Sequence, residues 1–167
     1  MKSKQDREAP PVVIGCDHAA YPLKEKIKAH LQKNGYAIED VGTHSEDSVD
    51  YPEFAKKVAA PISTGHYKRG ILLCGTGIGM SMAANKFANV RAALCTEPFS
   101  AEMSRRHNDA NILVLGGRIT GEALALDMVD VWLKTPFEGG RHQKRIGQFG
   151  STGELETEAL QSTQKSR

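Results

Sequence analysis

The sequence predicts an α/β protein, a three-layer α/β/α Rossmann-like sandwich with a five-stranded parallel sheet. Three observations predict it. Short aliphatic or β-branched runs recur along the chain, each followed by a longer stretch with apolar residues at helical spacing. Strand and helix alternate through five such units, the order that puts helices on both faces of a parallel sheet. Glycine turns close strands, as in Cys74-Gly75-Thr76-Gly77-Ile78-Gly79 and Gly116-Gly117-Arg118.

The elements follow in order. Val12-Val13-Ile14 is the first strand and ends in Gly15-Cys16-Asp17-His18. Tyr21 to Asn34 carries Leu23, Ile27 and Leu31 at helical spacing, and Gly35 closes it. Tyr36 to Val41 is a weaker strand near the sheet edge, followed by a polar loop to Asp50. Asp50 reads as the N-cap of a helix with Pro52 in its first turn, Phe54, Val58 and Ile62 as its buried stripe, and Pro61 weakening its end. Ile71-Leu72-Leu73 is a buried strand, with a helix from Met80 to Phe87 beyond the glycine loop. Val90 to Cys95 is the fourth strand, Pro98 to Asn108 a helix, and Ile112 to Leu115 the fifth strand. Gly121 to Leu133 is a strongly apolar helix that includes Leu124, Met128, Val131 and Trp132.

The chain's 167 residues suit one domain, expected at 12–149, with flexible tails at 1–11 and 150–167. A net charge of +2 is too small to argue for nucleic acid or an anionic membrane. No apolar run approaches a membrane span, and the polar start has no signal core. Three cysteines without a C-x-x-C pair argue against a disulfide framework or a structural zinc site, and point to a cytoplasmic location.

Chemistry concentrates in the third unit. Three glycines at alternate positions let the backbone turn sharply and approach a ligand, and their N–H groups form a nest for an anion. Cys74 ends the strand at its mouth, where open parallel sheets place their sites. A buried cysteine is often mere packing, but a helix N-terminus beside one favours the thiolate. Asp17 and His18, at the end of the first strand, should be its neighbours. Arg141 and Arg145 share one helical face, and with Arg118 they would form an arginine cluster suited to a phosphate. His107, His142, Asp17 and the arginines each also have a plain reading as caps or solvated surface. A dinucleotide fingerprint would need glycine at Met80, and it would follow the first strand, not the third. No G-K-[ST] follows the loop, and no H-x-x-x-H spacing supports a metal hydrolase built on His18, His107, His142 and Asp17.

The stretches GCDHAAY at 15–21, DYP at 50–52, CGTGIGMSMAANK at 74–86, EPFSAEMSRRHNDANILVLGGR at 97–118 and FEGGRHQKR at 137–145 together resemble the type B ribose-5-phosphate isomerases, within the family that includes the galactose-6-phosphate isomerase subunits. The resemblance runs from about Val12 to Phe149. It implies isomerisation of ribose 5-phosphate and ribulose 5-phosphate through an enediolate, without metal or cofactor. By that resemblance Cys74 is the base, and His107 assists opening of the furanose ring. Asp17, His18 and Tyr51 contact the sugar, and Asn108, Arg118, Arg141 and Arg145 bind substrate and its phosphate. The glycines Gly75, Gly77 and Gly79 line the anion nest, and Thr76 is expected to orient the thiolate by hydrogen bonding. The family implies a homodimer or a dimer of dimers, with sites completed by two subunits. A six-carbon phosphosugar such as allose 6-phosphate or galactose 6-phosphate remains an alternative substrate. A non-catalytic phosphosugar-binding protein is the rival of another class.

Overall fold

A computed structural model describes residues 11–149; the leader up to residue 10 and the segment from 150 on, expected as flexible tails, lie outside the described residues. Among the described residues there are five strands: β1 (Val12–Cys16), β2 (Ile38–Asp40), β3 (Arg69–Cys74), β4 (Ala92–Leu94) and β5 (Ile112–Gly116). Six helices accompany them: α1 (Tyr21–Lys33), α2 (Tyr51–Ser63), α3 (Ile78–Ala84), α4 (Pro98–Asn108), α5 (Glu122–Lys134) and α6 (Arg141–Ile146). A single 3-10 turn, His18–Ala20, leads into α1.

The sheet is wholly parallel, in the order β2-β1-β3-β5-β4. The central strands β1 and β5 are buried along their whole length, and β3 is buried from Gly70 on. Strand alternation divides their side chains between two cores. Ile14, Ile71, Leu73, Leu113 and Leu115 pack against Leu23, Ile27 and Leu31 of α1 and against Met128 and Trp132 of α5. Val13, Leu72, Ile112 and Val114 pack on the opposite face, against Phe54 and Val58 of α2 and Met80 of α3. This is the expected three-layer sandwich.

The differences from the sequence reading are local. Helix α3 starts two residues before Met80 and stops at Ala84. The side-chain amide of Asn85 accounts for the stop: it donates to the Ser81 and Ala92 carbonyls and accepts from the Ala92 N–H, tying the helix end to the edge strand. That strand is correspondingly short, three residues in place of six. Pro61 does not end α2, which runs on to Ser63; the Pro61 carbonyl then takes the His66 and Tyr67 N–H groups. Asp50 holds the N-cap position, but its side chain makes no capping hydrogen bond. Leu124 is exposed, because the buried stripe of α5 is Ala125, Met128, Val129 and Trp132.

Candidate active site

Strand order reverses between β1 and β3, so their carboxyl ends open the crevice where such sheets bind ligands. The Asp17 N–H donates to the Leu73 carbonyl at 3.2 Å, which brings Asp17, His18 and Cys74 to one edge. Asp17 also caps the 3-10 turn, with Oδ1 accepting from the Ala19 N–H at 3.0 Å. The Val49 N–H donates to His18 Nδ1 at 3.2 Å. The ring nitrogen that accepts carries no proton, so the proton of the neutral His18 sits on Nε2.

The glycine loop is built around its own cysteine. Gly77 is left-handed, with φ +78°, and its N–H points back at Cys74 Sγ at 3.1 Å. A Cβ at Gly77 would lie 2.5 Å from Leu94 and 3.1 Å from the Leu115 carbonyl carbon, so glycine alone fits there. The nest read from the sequence therefore turns first on the Cys74 sulfur. Thr76 does not bond that sulfur, contrary to expectation. Its hydroxyl instead accepts from the Ile78 N–H at 3.3 Å, because the turn aims the side chain at the first turn of α3.

Arg118, Tyr51 and the other glycines complete this edge. The Arg118 N–H donates to the Gly75 carbonyl at 3.0 Å, and a Cβ on Gly75 would meet the Arg118 side chain at 3.4 Å. A Cβ on Gly79 would fall 2.6 to 2.9 Å from the Tyr51 ring and hydroxyl, so Tyr51 lies directly on Gly79. Cys16 and Cys95 stand apart in the core. Burial pushes the Cys16 thiol up to about 12 and raises Cys95 as well, which suits packing residues.

The remaining candidates lie at the other edge. Helix α4 leaves the carboxyl end of β4 and returns to the amino end of β5, so its C-terminal His107 and Asn108 sit by the start of the strands. Asp109, left-handed at φ 46°, ends the helix, and its carboxylate is held by Arg91 at 3.0 Å and Arg105 at 2.8 Å. Helix α6 packs against α4 here. His142 stacks on His107, with ring centroids 4.2 Å apart and planes 8° from parallel. Arg141 and Arg145 are exposed on α6. The arginine cluster expected with Arg118 thus does not form within one chain. Cys74 is the last residue of the six-residue β3, which spans about 16 Å, whereas His107 ends α4 at the opposite edge, where β5 begins.

The metal-ligand set weighed from the sequence is split in the same way, with His18 and Asp17 at one edge and His107 and His142 at the other. His107, Glu138 and His142 do bring ligand atoms within 4.8 Å of one another. The Glu138 carboxylate is already paired with Arg106, and Arg141 Nε lies 3.5 Å from His142 Nε2. The group is thus a charge-balanced cluster amid cations. Glu138 and Arg106 were not legible as site residues. Only the i, i+4 spacing of Glu138 and His142 hinted that they meet.

A family model described as Ribose/Galactose Isomerase matches residues 12–149. Ribose-5-phosphate isomerase B of Escherichia coli is 50% identical over 135 residues, 81% of this chain and 91% of that one. The structure of Clostridium thermocellum ribose-5-phosphate isomerase B superposes with a TM-score of 0.84 at 52% identity, covering 89% of this chain and 99% of that one. That of a Thermotoga maritima ribose 5-phosphate isomerase gives a TM-score of 0.82 at 53% identity, covering 84% and 97%. With its fold and residues 12–149 matched, the chain belongs to the ribose/galactose isomerase family.

Proposed function

We propose that this protein interconverts ribose 5-phosphate and ribulose 5-phosphate through an enediolate, in active sites shared between two copies of the chain. The observation that supports this most directly is the separation of Cys74 from His107. The Cys74 edge has a base and groups for sugar hydroxyls. The His107 edge has an imidazole and two exposed arginines for a phosphate. Each is half of a site, and a two-fold dimer joins one half to the other twice. Exposed apolar side chains fit the same arrangement: Ile78, Met82, Leu94 and Phe99 stand exposed on α3, β4 and α4, as suits surface covered by a second copy.

The chemistry follows from the two halves. Ring opening breaks the C1–O4 bond; O4 gains a proton and O1 loses one, and His107 of the second copy can give the first and recover the other. The Cys74 thiolate then removes the proton from C2. The enediolate forms beside the Gly75–Gly79 loop, where backbone N–H groups favour negative charge. Such a donor is typically worth about 2.7–4 kcal/mol in an oxyanion site, and a positioned base about 10²–10⁴-fold. The thiol returns its proton to C1, and the O2 proton passes to O1. One carbon is reduced and its neighbour oxidised, so no outside electron acceptor enters. Arg118 at the Cys74 edge, with Asn108, Arg141 and Arg145 of the partner, holds the substrate and its phosphate by charge-assisted hydrogen bonds.

The test is an isomerase assay on ribose 5-phosphate with chelator present, beside Cys74→Ala. Ketopentose phosphate from the wild type and none from the variant is the expected result. Activity surviving in Cys74→Ala would remove Cys74 as base, and an inactive wild type would overturn the assignment.

A further inference from the structure

The stack of His107 on His142 is served by one carboxylate. Glu138 Oε2 lies 3.4 Å from His142 Nε2 and 3.9 Å from His107 Nε2. Glu138 is itself clamped: the Arg106 guanidinium pairs with Oε1, and the Glu138 N–H donates to the Arg106 carbonyl at 3.1 Å. Arg106 is steadied in turn by Glu102 at 3.1 Å. A continuous line of ion pairs thus ends on the two rings.

The charges around the stack limit its protonation. Two imidazolium rings 4.2 Å apart repel, so the stack favours a single cation. Burial, then His107 and Arg141, hold His142 below the usual histidine range. The Arg106 hydrogen bond holds Glu138 below the usual carboxylate range, so it is ionised near neutrality. Helix α4 presents Glu102 and Arg106, α5 brings Lys134 to the same pocket, and α6 presents Arg141 and Arg145. Glu138 is the one carboxylate within 4 Å of either ring among the described residues.

We propose that Glu138 is a positioning residue for His107: its clamped carboxylate, 3.9 Å from the ring, is the counter-charge for the imidazolium that opens the sugar, with His142 as the neutral face beneath. This rests on the reading of His107 as the ring-opening group and deepens it. Glu138 acts through His107 and need not touch the substrate.

Glu138→Gln keeps the shape and removes the charge. The turnover of ribose 5-phosphate should fall about tenfold, a fraction of what general acid catalysis contributes, with KM changed less than about twofold. The limb of the rate that falls as the acid is lost should move to lower pH, since the cation has lost its counter-charge. Ribulose 5-phosphate has no furanose ring to open, so its conversion to the aldehyde should be slowed far less. Glu138→Asp should recover part of the loss. His107→Asn should show the same direction-dependence, more strongly. An unchanged rate and pH profile in Glu138→Gln, with direction-dependence kept in His107→Asn, would overturn the proposal and leave the isomerase reading intact. Equal losses in both directions with an unmoved pH profile would also overturn it, since a merely structural role does that. A His107→Asn variant with no direction-dependence would overturn the ring-opening role itself.

Discussion

The backbone N–H of Gly77 donates to the sulfur of Cys74 at 3.1 Å, across a turn that only a left-handed residue can make. Gly77→Ala should therefore damage the site more than a single methyl suggests. The left-handed conformation costs a non-glycine residue about 1–2 kcal/mol, and the new Cβ would meet Leu94 at 2.5 Å. Thermal unfolding should show the lost stability. Turnover should fall about a hundredfold, by loss of a donor at the reacting group, and alkylation of Cys74 should slow. A Gly77→Ala enzyme with wild-type turnover would contradict this role.

Thr76 gives a contrasting expectation, because its hydroxyl serves Ile78 and not the sulfur. Thr76→Ala should cost about 0.5–1.5 kcal/mol of stability, the net worth of a typical hydrogen bond. Its turnover should fall much less than that of Gly77→Ala. Urea unfolding beside steady-state kinetics compares them. A loss of turnover equal to that of Gly77→Ala would restore Thr76 to the catalytic role expected from the sequence.

The pair Lys24–Asp40 carries the pH dependence. Lys24 is fully buried, and its ammonium meets Asp40 at 2.8 Å and the Thr43 carbonyl at 2.8 Å. Burial alone would raise the Asp40 carboxyl, but hydrogen bonds from Lys24 and Lys28 hold it below the usual range. A lowered folded-state value stabilises the protein above the ordinary aspartate value of about 3.9, and that stability is lost as pH falls below it. Asp40→Asn should lose about 1.5–3 kcal/mol at neutral pH, the worth of a charge-assisted hydrogen bond, since the Lys24 ammonium keeps Glu25 at 3.1 Å. Denaturant unfolding between pH 3 and 7, a range chosen about that value, should show the wild type and Asp40→Asn converging at the acid end. A constant difference would contradict the assignment.

Arg141 and Arg145 stand exposed on α6, facing no partner carboxylate among the described residues. Alanine at either should raise KM for ribose 5-phosphate about tenfold or more, as loss of a charge-assisted hydrogen bond of about 1.5–3 kcal/mol implies. The dependence of KM on ionic strength should weaken with it. An unchanged KM would remove that arginine from the phosphate site.

The strands and long helices were legible because hydrophobic runs and helical spacing are local signals, and Pro98 to Asn108 was read to the residue. The Cys74 edge was legible because strand ends in a parallel sheet must share an edge. The ends of α3 and β4 were not, since they are set by one side chain, Asn85, reaching across to another element. Nor was the far cluster. Glu138 approaches His107 only because the connection between α5 and α6 runs back along α4, the Glu138 N–H donating to the Arg106 carbonyl, and nothing in the spacing of residues 107 and 138 says so. The supposed link from Arg118 to Arg141 failed for the same reason: a shared charge does not reveal which edge of the sheet holds it.

The most direct test of the shared site is complementation between two variants impaired on ribose 5-phosphate. Cys74→Ala and His107→Asn would be co-expressed and the mixed assembly assayed on ribose 5-phosphate. If each site joins Cys74 of one protomer to His107 of the other, a mixed dimer has one intact site. Random pairing in a two-fold dimer then restores about a quarter of wild-type activity. No activity above that of the separate variants would contradict the account, because sites confined to one chain cannot complement.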